Sequence, residues 1–407
     1  MKVFRFFLSR VFLNKPILVA CVLLLLFMAN YIAFSTARTI VSTQEGAAEM
    51  ARLDANGTFI ANLDPDSDID PSGISDESLQ EVYGLLGRKY EYALFTDGYI
   101  SSLPNSQGVE VPVSYLNQRY DELNGFAISE GSGLHFDHDP ARGDVISALV
   151  GKGLAKDYPV GSEFNFNDPA LGGEVKLKVV GVLAENSAHS NFYAYDSKQY
   201  YNFSLVLPVN DRFIESAGLS FKLNGLMDLI VTNTDTVGVA EIRSYMNRAT
   251  GAKFNFFSQK ENVEYYNEYF GSSMRILAIV SVVLLAVIVA LSVWTSLVSV
   301  RMMVREFTIN LLVGLDFSRL TRLVFAFFGA MSFIALFGIF AVASYSRATF
   351  WHKGDVSFMT YGFAGLIPMD WLALLAAFIF DALLVFLIAQ VVTWRLKRIP
   401  ISVGVLQ

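Results

Sequence analysis

Four apolar runs, residues 17–35, 276–300, 323–345 and 371–394, dominate the sequence. Each is near or above the roughly 20 helical residues that cross a bilayer, so the chain reads as a membrane protein with four spanning helices. Composition agrees: 53% hydrophobic residues against 17% charged, with mean hydropathy +0.41, is too apolar for an ordinary soluble domain. Charge then divides the chain in two. Residues 36–272 carry 33 acidic and 17 basic side chains, net -16, and the remainder carries 14 basic and 5 acidic, net +9. Such a block is long enough for a core of its own, and its sign excludes nucleic acid as a charge-driven partner.

Basic residues set the direction of the spans. Lys2, Arg5, Arg10 and Lys15 precede the first, Arg301, Arg305, Arg319 and Arg322 lie between the second and third, and Arg395, Lys397 and Arg398 follow the fourth. If all four runs span, the three clusters fall on one side, which the positive-inside rule makes the cytoplasm. The expected order is a cytoplasmic N-terminus (1–16), helix 1 (17–36), a large extracytoplasmic domain (37–272), helix 2 (273–300), a cytoplasmic link (301–322), helix 3 (323–345), an extracytoplasmic loop (346–370), helix 4 (371–394) and a cytoplasmic C-terminus (395–407). The fold class is therefore an α-helical membrane protein of one plus three helices, with a large α+β domain inserted after the first.

Cys21 is the sole cysteine, which excludes an intrachain disulfide and a cysteine-rich zinc site. Residues 18–21 fit a lipoprotein box, but the longer apolar run follows the cysteine, whereas a signal peptide carries its apolar core of roughly 7 to 15 residues ahead of the cleavage site. Cys21 reads as an inert membrane-embedded thiol. Cleavage after residues 35–37 is the alternative for the first span, against which stands an apolar core longer than signal cores usually are.

Within the acidic block, 57–63 suggests a strand, and 75–88 a helix capped by Ser75 or Asp76 with Leu79, Val82, Leu85 and Leu86 on one face. Residues 89–96, 145–150, 174–183, 203–209, 227–232 and 253–257 read as strands and 237–248 as a helix, an interleaving that indicates α/β or α+β. Residues 261–271 read as a helix continuing into the second span. The aromatic stretch Asn191 to Phe203 is either an exposed partner patch or a hairpin packed on the core.

Chemical motifs are sparse. Gly151-Lys152 is followed by Gly153, not Ser or Thr, and no glycine stands five residues before it, so no nucleotide loop is present. Asp64, Asp66, Asp68 and Asp70 have the spacing that opens a calcium loop, but Ile69 and Ser75 stand where glycine and glutamate are required. His135, Asp137, His138 and Asp139 form a second candidate cluster, with His138 turned away from the others on a strand. Deep in a span only Asp381 introduces a charge, at an insertion cost of about 2.5 to 3.5 kcal/mol. It is expected to face protein, either protonated or paired with a polar group of another helix or of a second copy, or to act as a switch. Ala326, Ala330 and Gly338 offer a close-packing face on the third helix.

The link 301–322 reads as a short helix at the membrane surface, with Gly314 as its C-terminal cap and Asp316 or Ser318 capping the next helix; a plain basic connector is the alternative. Residues 305–316, Arg-Glu-Phe-Thr-Ile-Asn-Leu-Leu-Val-Gly-Leu-Asp, resemble the arginine-glutamate-apolar, leucine-x-x-x-glycine segment of FtsX-like permeases of the MacB-type ABC transporter family. Leu312-Val313 stands where that family commonly carries a basic residue. Residues 120–131, 136–139, 143–149, 153–156, 159–161 and 179–182 follow the order of landmarks in the MacB-like periplasmic core domain, where 135–139 is a turn after a strand. The resemblance implies a bacterial inner-membrane permease subunit that is not itself an enzyme and holds no cofactor, ATP and magnesium being bound by two copies of a separate cytosolic ATPase. It implies pairing with a second permease copy, identical or not, and in export a periplasmic adaptor or other extracytoplasmic protein. Arg305, Glu306, Asn310, Leu312 and Gly314 would touch the ATPase, whose movement the external domain would convert into export or extraction of a peptide, lipoprotein or similar cargo. An FtsX-like scaffold that activates a cell-wall hydrolase is the alternative within the same family. A receptor is the alternative outside it, and would be expected to carry a cytoplasmic signalling domain.

Overall fold

The computed structural model describes residues 16–53, 57–64, 66–67, 73–192, 194–265, 267–268, 272–302, 308–309 and 316–398. Helix α1 (Pro16–Met50) is followed by β1 (Phe59–Leu63), α2 (Asp76–Lys89), β2 (Glu91–Ala93), β3 (Phe95–Ser101), β4 (Val111–Asn117), α3 (Gln118–Asn124) and β5 (Ile128–Gly131). Then come β6 (Ile146–Val150), β7 (Glu163–Asp168), β8 (Gly173–Leu183), the hairpin β9 (Ala188–Ser190) and β10 (Lys198–Tyr200), and β11 (Leu205–Val209). Helices α4 (Asp211–Ser216) and α5 (Leu219–Asn224), β12 (Ile230–Thr232), α6 (Thr236–Thr250), β13 (Phe254–Ser258) and α7 (Gln259–Tyr265) complete the insert. Three long helices follow, α8 (Ser272–Met302), α9 (Phe317–Lys353) and α10 (Pro368–Lys397). Among the described residues four helices, α1 and α8 to α10, are long and apolar enough to span a membrane, with the α+β insert between the first and the others.

The chain forms two compact units. One comprises residues 1–42, 272–346 and 366–407, the other residues 43–271 and 347–365. In the membrane unit Val324, Phe328, Met331 and Ala335 recur every three or four residues along α9 and are buried, making a helical stripe that packs with Val22 and Leu26 of α1 and Ile388 and Val392 of α10. Of the small residues expected to pack, Gly338 lies close to Phe27: a Cβ there would meet the ring at 3.0 Å, and the ring would have to give by a few tenths of an ångström. Ala326 and Ala330 are exposed, because they lie off this stripe; Ala335, buried on it, takes their place. Among the described side chains of α8, Ile288, Ser292 and Ser296 are the buried ones.

In the α+β unit, β1-α2-β2 and β12-α6-β13 are two split βαβ pairs, interleaved in an antiparallel sheet of order β13-β1-β12-β2. Helix α2 starts at Ser75, whose hydroxyl accepts from Ser78 N, and buries Leu79, Val82, Tyr83 and Leu86. Helix α6 is capped by Asp235 and ends at Gly251, whose positive φ of 68° suits glycine. A mixed seven-stranded sheet of order β3-β4-β11-β6-β8-β5, with β7 on β8, is inserted between β2 and β12. The single strand expected over 89–96 is divided at Leu94. Asn117 Oδ1 accepts from Leu94 N and Asn117 N donates to Leu94 O, so the chain leaves one sheet there and enters the other. Residues 261–271 are not one described helix: α7 ends at Tyr265, α8 begins at Ser272, and 266 and 269–271 lie outside the described residues.

Candidate functional site

Residues 43–50 of α1 and 347–353 of α9 belong to the α+β unit, whereas the earlier residues of both helices belong to the membrane unit. Their fastening inside the α+β unit is polar and half-buried, which makes it the candidate site. Glu49 receives three donors: His189 Nδ1 at 2.6 Å and Asn124 Nδ2 at 3.0 Å on Oε1, and Ser190 N at 2.9 Å on Oε2. An ionised carboxylate only accepts, so Nδ1 carries the imidazole proton. The two side chains are 12% and 10% exposed. Burial alone would raise the Glu49 pKa; the hydrogen bond and charge of His189, with the Asn124 and Ser190 donors, outweigh it and hold the carboxyl below its usual range.

The residues around this pair complete a clasp. Glu45 pairs with Lys198 of β10. Gly46 lies so close to the loop of the hairpin that a Cβ would fall 2.1 Å from Tyr195 O. Met50 and Leu53 are buried with Tyr120, Phe126, Tyr195 and Tyr201 in a second apolar core, and the His189 ring lies 4.2 Å from the Phe126 ring. The aromatic stretch 191–203 thus supplies the loop and second strand of the hairpin, with Tyr195, Tyr200, Tyr201 and Phe203 buried. The end of α9 and the residues after it are held by Asn186, Asn202 and Phe203. Trp351 stacks edge-on against Phe203 at 5.5 Å, Asn202 Nδ2 donates to Met359 O at 3.0 Å, and Asn186 exchanges two hydrogen bonds with the Tyr361 backbone at 2.8 and 3.0 Å.

A cleft of about 560 Å³ opens beside the clasp, lined by Phe95, Asp97, His189, Tyr201 and Asp228 among others. Burial first, and then the charge of Asp97, push Asp228 up to about 6. The folded state holds this proton more tightly than the unfolded chain, so its contribution to stability is present below about pH 4 and is lost as pH rises through 6. Asp228→Asn should therefore melt near wild type at pH 4 and above it at pH 7.5, by a margin on the order of 2 kcal/mol, which thermal melting of the full chain across that range measures. A margin independent of pH would contradict the assignment.

The residues singled out from sequence fall in different places. Arg305, Glu306, Asn310, Leu312 and Gly314 lie outside the described residues. Asp381 is buried in the membrane unit, where Oδ2 accepts from Nδ2 of Asn30, itself fully buried on α1, at 2.8 Å. Removing either partner leaves the other's polar group buried. Asp381→Leu and Asn30→Leu should each lower stability in detergent by about 0.5 to 2 kcal/mol, and the double variant by less than their sum. Additive losses would show that the pair does not interact. Asp64 accepts from the Asp66 amide in a local turn, while Asp68 and Asp70 lie outside the described residues. Asp139 caps the turn Pro140–Arg142, Asp137 points to solvent beside Arg212, and burial lowers the pKa of His138, which packs near Phe213. Among the described residues no three His, Cys, Asp or Glu side chains are grouped to hold a metal. Sequence reasoning missed Glu49, His189, Asn124, Asn186 and Asn202. A faint signal for the clasp was available in Gly46-Ala47-Ala48, three small residues beyond the end of the span.

No family model and no curated protein matches the chain. Solved structures similar to part of it include the extracellular domain of the noncanonic ABC-type transporter YknZ from Gram-positive bacteria, 15% identical, covering 49% of this chain and 100% of that one at a TM-score of 0.30. The periplasmic region of MacB from Actinobacillus actinomycetemcomitans is 14% identical, covering 54% and 96% at 0.30. A domain of a permease protein from Porphyromonas gingivalis is 13% identical, covering 49% and 85% at 0.25.

Proposed function

We propose that this chain is the membrane subunit of a MacB-like ABC system and works as a transmission. Nucleotide turnover on a separate cytosolic ATPase, which binds ATP and magnesium, moves the spanning helices, and the clasp carries that movement into the α+β unit on the other side of the membrane. The observation that carries this reading is the burial of Glu49, near the end of a spanning helix, under three donors of the α+β unit. A helix held only by a flexible tether would dissipate movement, whereas packed interiors transmit it. The four-helix topology, the resemblance of residues 305–316 to the family's coupling segment and the basic residues on the same side of each span support a cytosolic input. Two ATPase copies and a second permease copy complete the proposed assembly, with export or extraction of a peptide, lipoprotein or similar cargo as the output.

Co-purification with a genetically neighbouring ABC ATPase tests the input. Glu306→Arg reverses a charge in the coupling segment and Gly314→Leu removes its proposed cap. Both should weaken ATPase capture at least about tenfold, roughly 1.4 kcal/mol in binding free energy. Capture and ATPase activity unaltered in both variants would remove this segment from the proposed interface.

A further inference from the structure

Five cations gather where α9 begins and α10 ends, and we infer that this end of the membrane unit binds the headgroup of an anionic phospholipid. Arg319 and Arg322 stand on the first turns of α9, and Arg395, Lys397 and Arg398 on or just after the last turn of α10. Asp316 is the one acid beside them among the described residues, and it is engaged as a cap, its Oδ2 accepting from Ser318 N at 3.2 Å. Its charge reaches Arg319, but none of the five cations is in an ion pair among the described residues. The surplus is positive, as an anionic headgroup requires.

The two helix ends meet in space. The Phe325 and Phe386 rings lie 6.2 Å apart and the Phe340 and Trp371 rings 6.0 Å apart, at equal spacing along the two helices, so α9 and α10 run side by side and antiparallel. Counted from Phe325 and Phe386, Arg319 comes level with Val392, and at 1.5 Å per residue Trp394 and Lys397 follow within about 8 Å of that depth. The cations also share the outward side. Arg319, Arg322, Phe333 and Phe337 are exposed and recur at helical spacing on α9, as do Leu383, Leu387, Trp394 and Lys397 on α10. Each stripe faces away from the buried cluster of this unit, so it offers apolar side chains along the span and cations at its end. A phospholipid presents acyl chain and then phosphate in the same order, whereas an acidic protein segment has no use for the apolar stripe. The Arg398 guanidinium stacks on the Trp394 ring at 3.9 Å. Stacking leaves its in-plane N–H groups open to a bidentate grip on phosphate, and tryptophan is at home at headgroup level.

Native mass spectrometry of the detergent-solubilised full chain, with no ATPase present, tests the headgroup site independently of the proposed transmission. Phosphatidylglycerol should bind about tenfold or more tightly than phosphatidylcholine with the same acyl chains, since each basic residue at the membrane surface adds to the attraction. Arg319→Gln with Arg322→Gln, and Lys397→Gln with Arg398→Gln, should each remove most of that preference. Arg301→Gln, on an exposed cation at the end of α8, should keep it. Inorganic phosphate at the same concentration should not displace the lipid, because it brings no acyl chain to the apolar stripe. The inference is overturned if the two lipids bind alike, if either double variant keeps the preference, if Arg301→Gln loses as much as they do, or if inorganic phosphate displaces the lipid. Equal binding of the two lipids together with loss of ATPase capture in the double variants would give the patch to the ATPase instead.

Discussion

Glu49→Leu should leave the ATPase bound and turning over but abolish coupled activity. Leucine is close to the side chain in size, so the loss is electrostatic: His189 Nδ1 and Ser190 N lose their acceptor, and Asn124 Nδ2 keeps only the longer bond to the Tyr120 hydroxyl at 3.4 Å. Leaving a shielded donor without its acceptor costs about 1 to 3 kcal/mol, more than an exposed ion pair contributes, and most of that should appear as local release of the hairpin. Hydrogen exchange would show it as lost protection over residues 188–201, with the membrane helices unchanged. Glu49→Gln keeps an acceptor and should fall between. The pH dependence follows from the lowered pKa of Glu49. Its contribution is in place above pH 4.5 and is lost as acid protonates the carboxyl at the lower, folded-state pKa, so the clasp should open in acid in wild type, and the Leu variant should lack that transition. Full coupled activity in Glu49→Leu would show that Glu49 carries none of the movement.

The second large effect is steric. Gly46→Val places a branched side chain where even a single Cβ would lie 2.1 Å from Tyr195 O, and that obstacle is backbone, unable to rotate aside. Overpacking of this kind costs about 1 to 3 kcal/mol when the surroundings yield. Here the cheapest way to yield is for the helix end to lift from the hairpin. We expect Gly46→Val to phenocopy Glu49→Leu, with Gly46→Ala milder in degree. Valine has higher helix propensity than glycine, so Gly46→Val loses nothing on that count, and Ala47→Val, which places the same branched side chain on the exposed neighbour, should retain activity. Equal losses at 46 and 47 would assign the effect to a branched side chain anywhere on this turn rather than to the close approach.

What could be read from the residues, and what could not, divides by sequence distance. The spans are written in consecutive residues, and α2 in a cap and a helical repeat of apolar positions, so one window contains the whole signal. The fold class follows from these local patterns. The division of β2 from β3 at Leu94 depends on Asn117, 23 residues away, and no local pattern marks it. The clasp is harder still. Glu49 meets partners 75, 140 and 141 residues ahead, and a glutamate after a run of small residues reads as a solvated helix end. Asp381 stood out because a charge inside an apolar run is anomalous, but its partner Asn30, 351 residues earlier, is an uncharged residue in a span and drew no notice.

The most direct test of the transmission follows one reporter through the nucleotide cycle. Cys21→Ser gives a cysteine-free background, and Val237→Cys places a single environment-sensitive label on an exposed position of α6. In the complex reconstituted with its ATPase, ATP with vanadate should change the label signal. Gly46→Val should abolish that change while ATPase capture is retained. No nucleotide-dependent change in the intact complex, or the same change without the ATPase, would contradict the account.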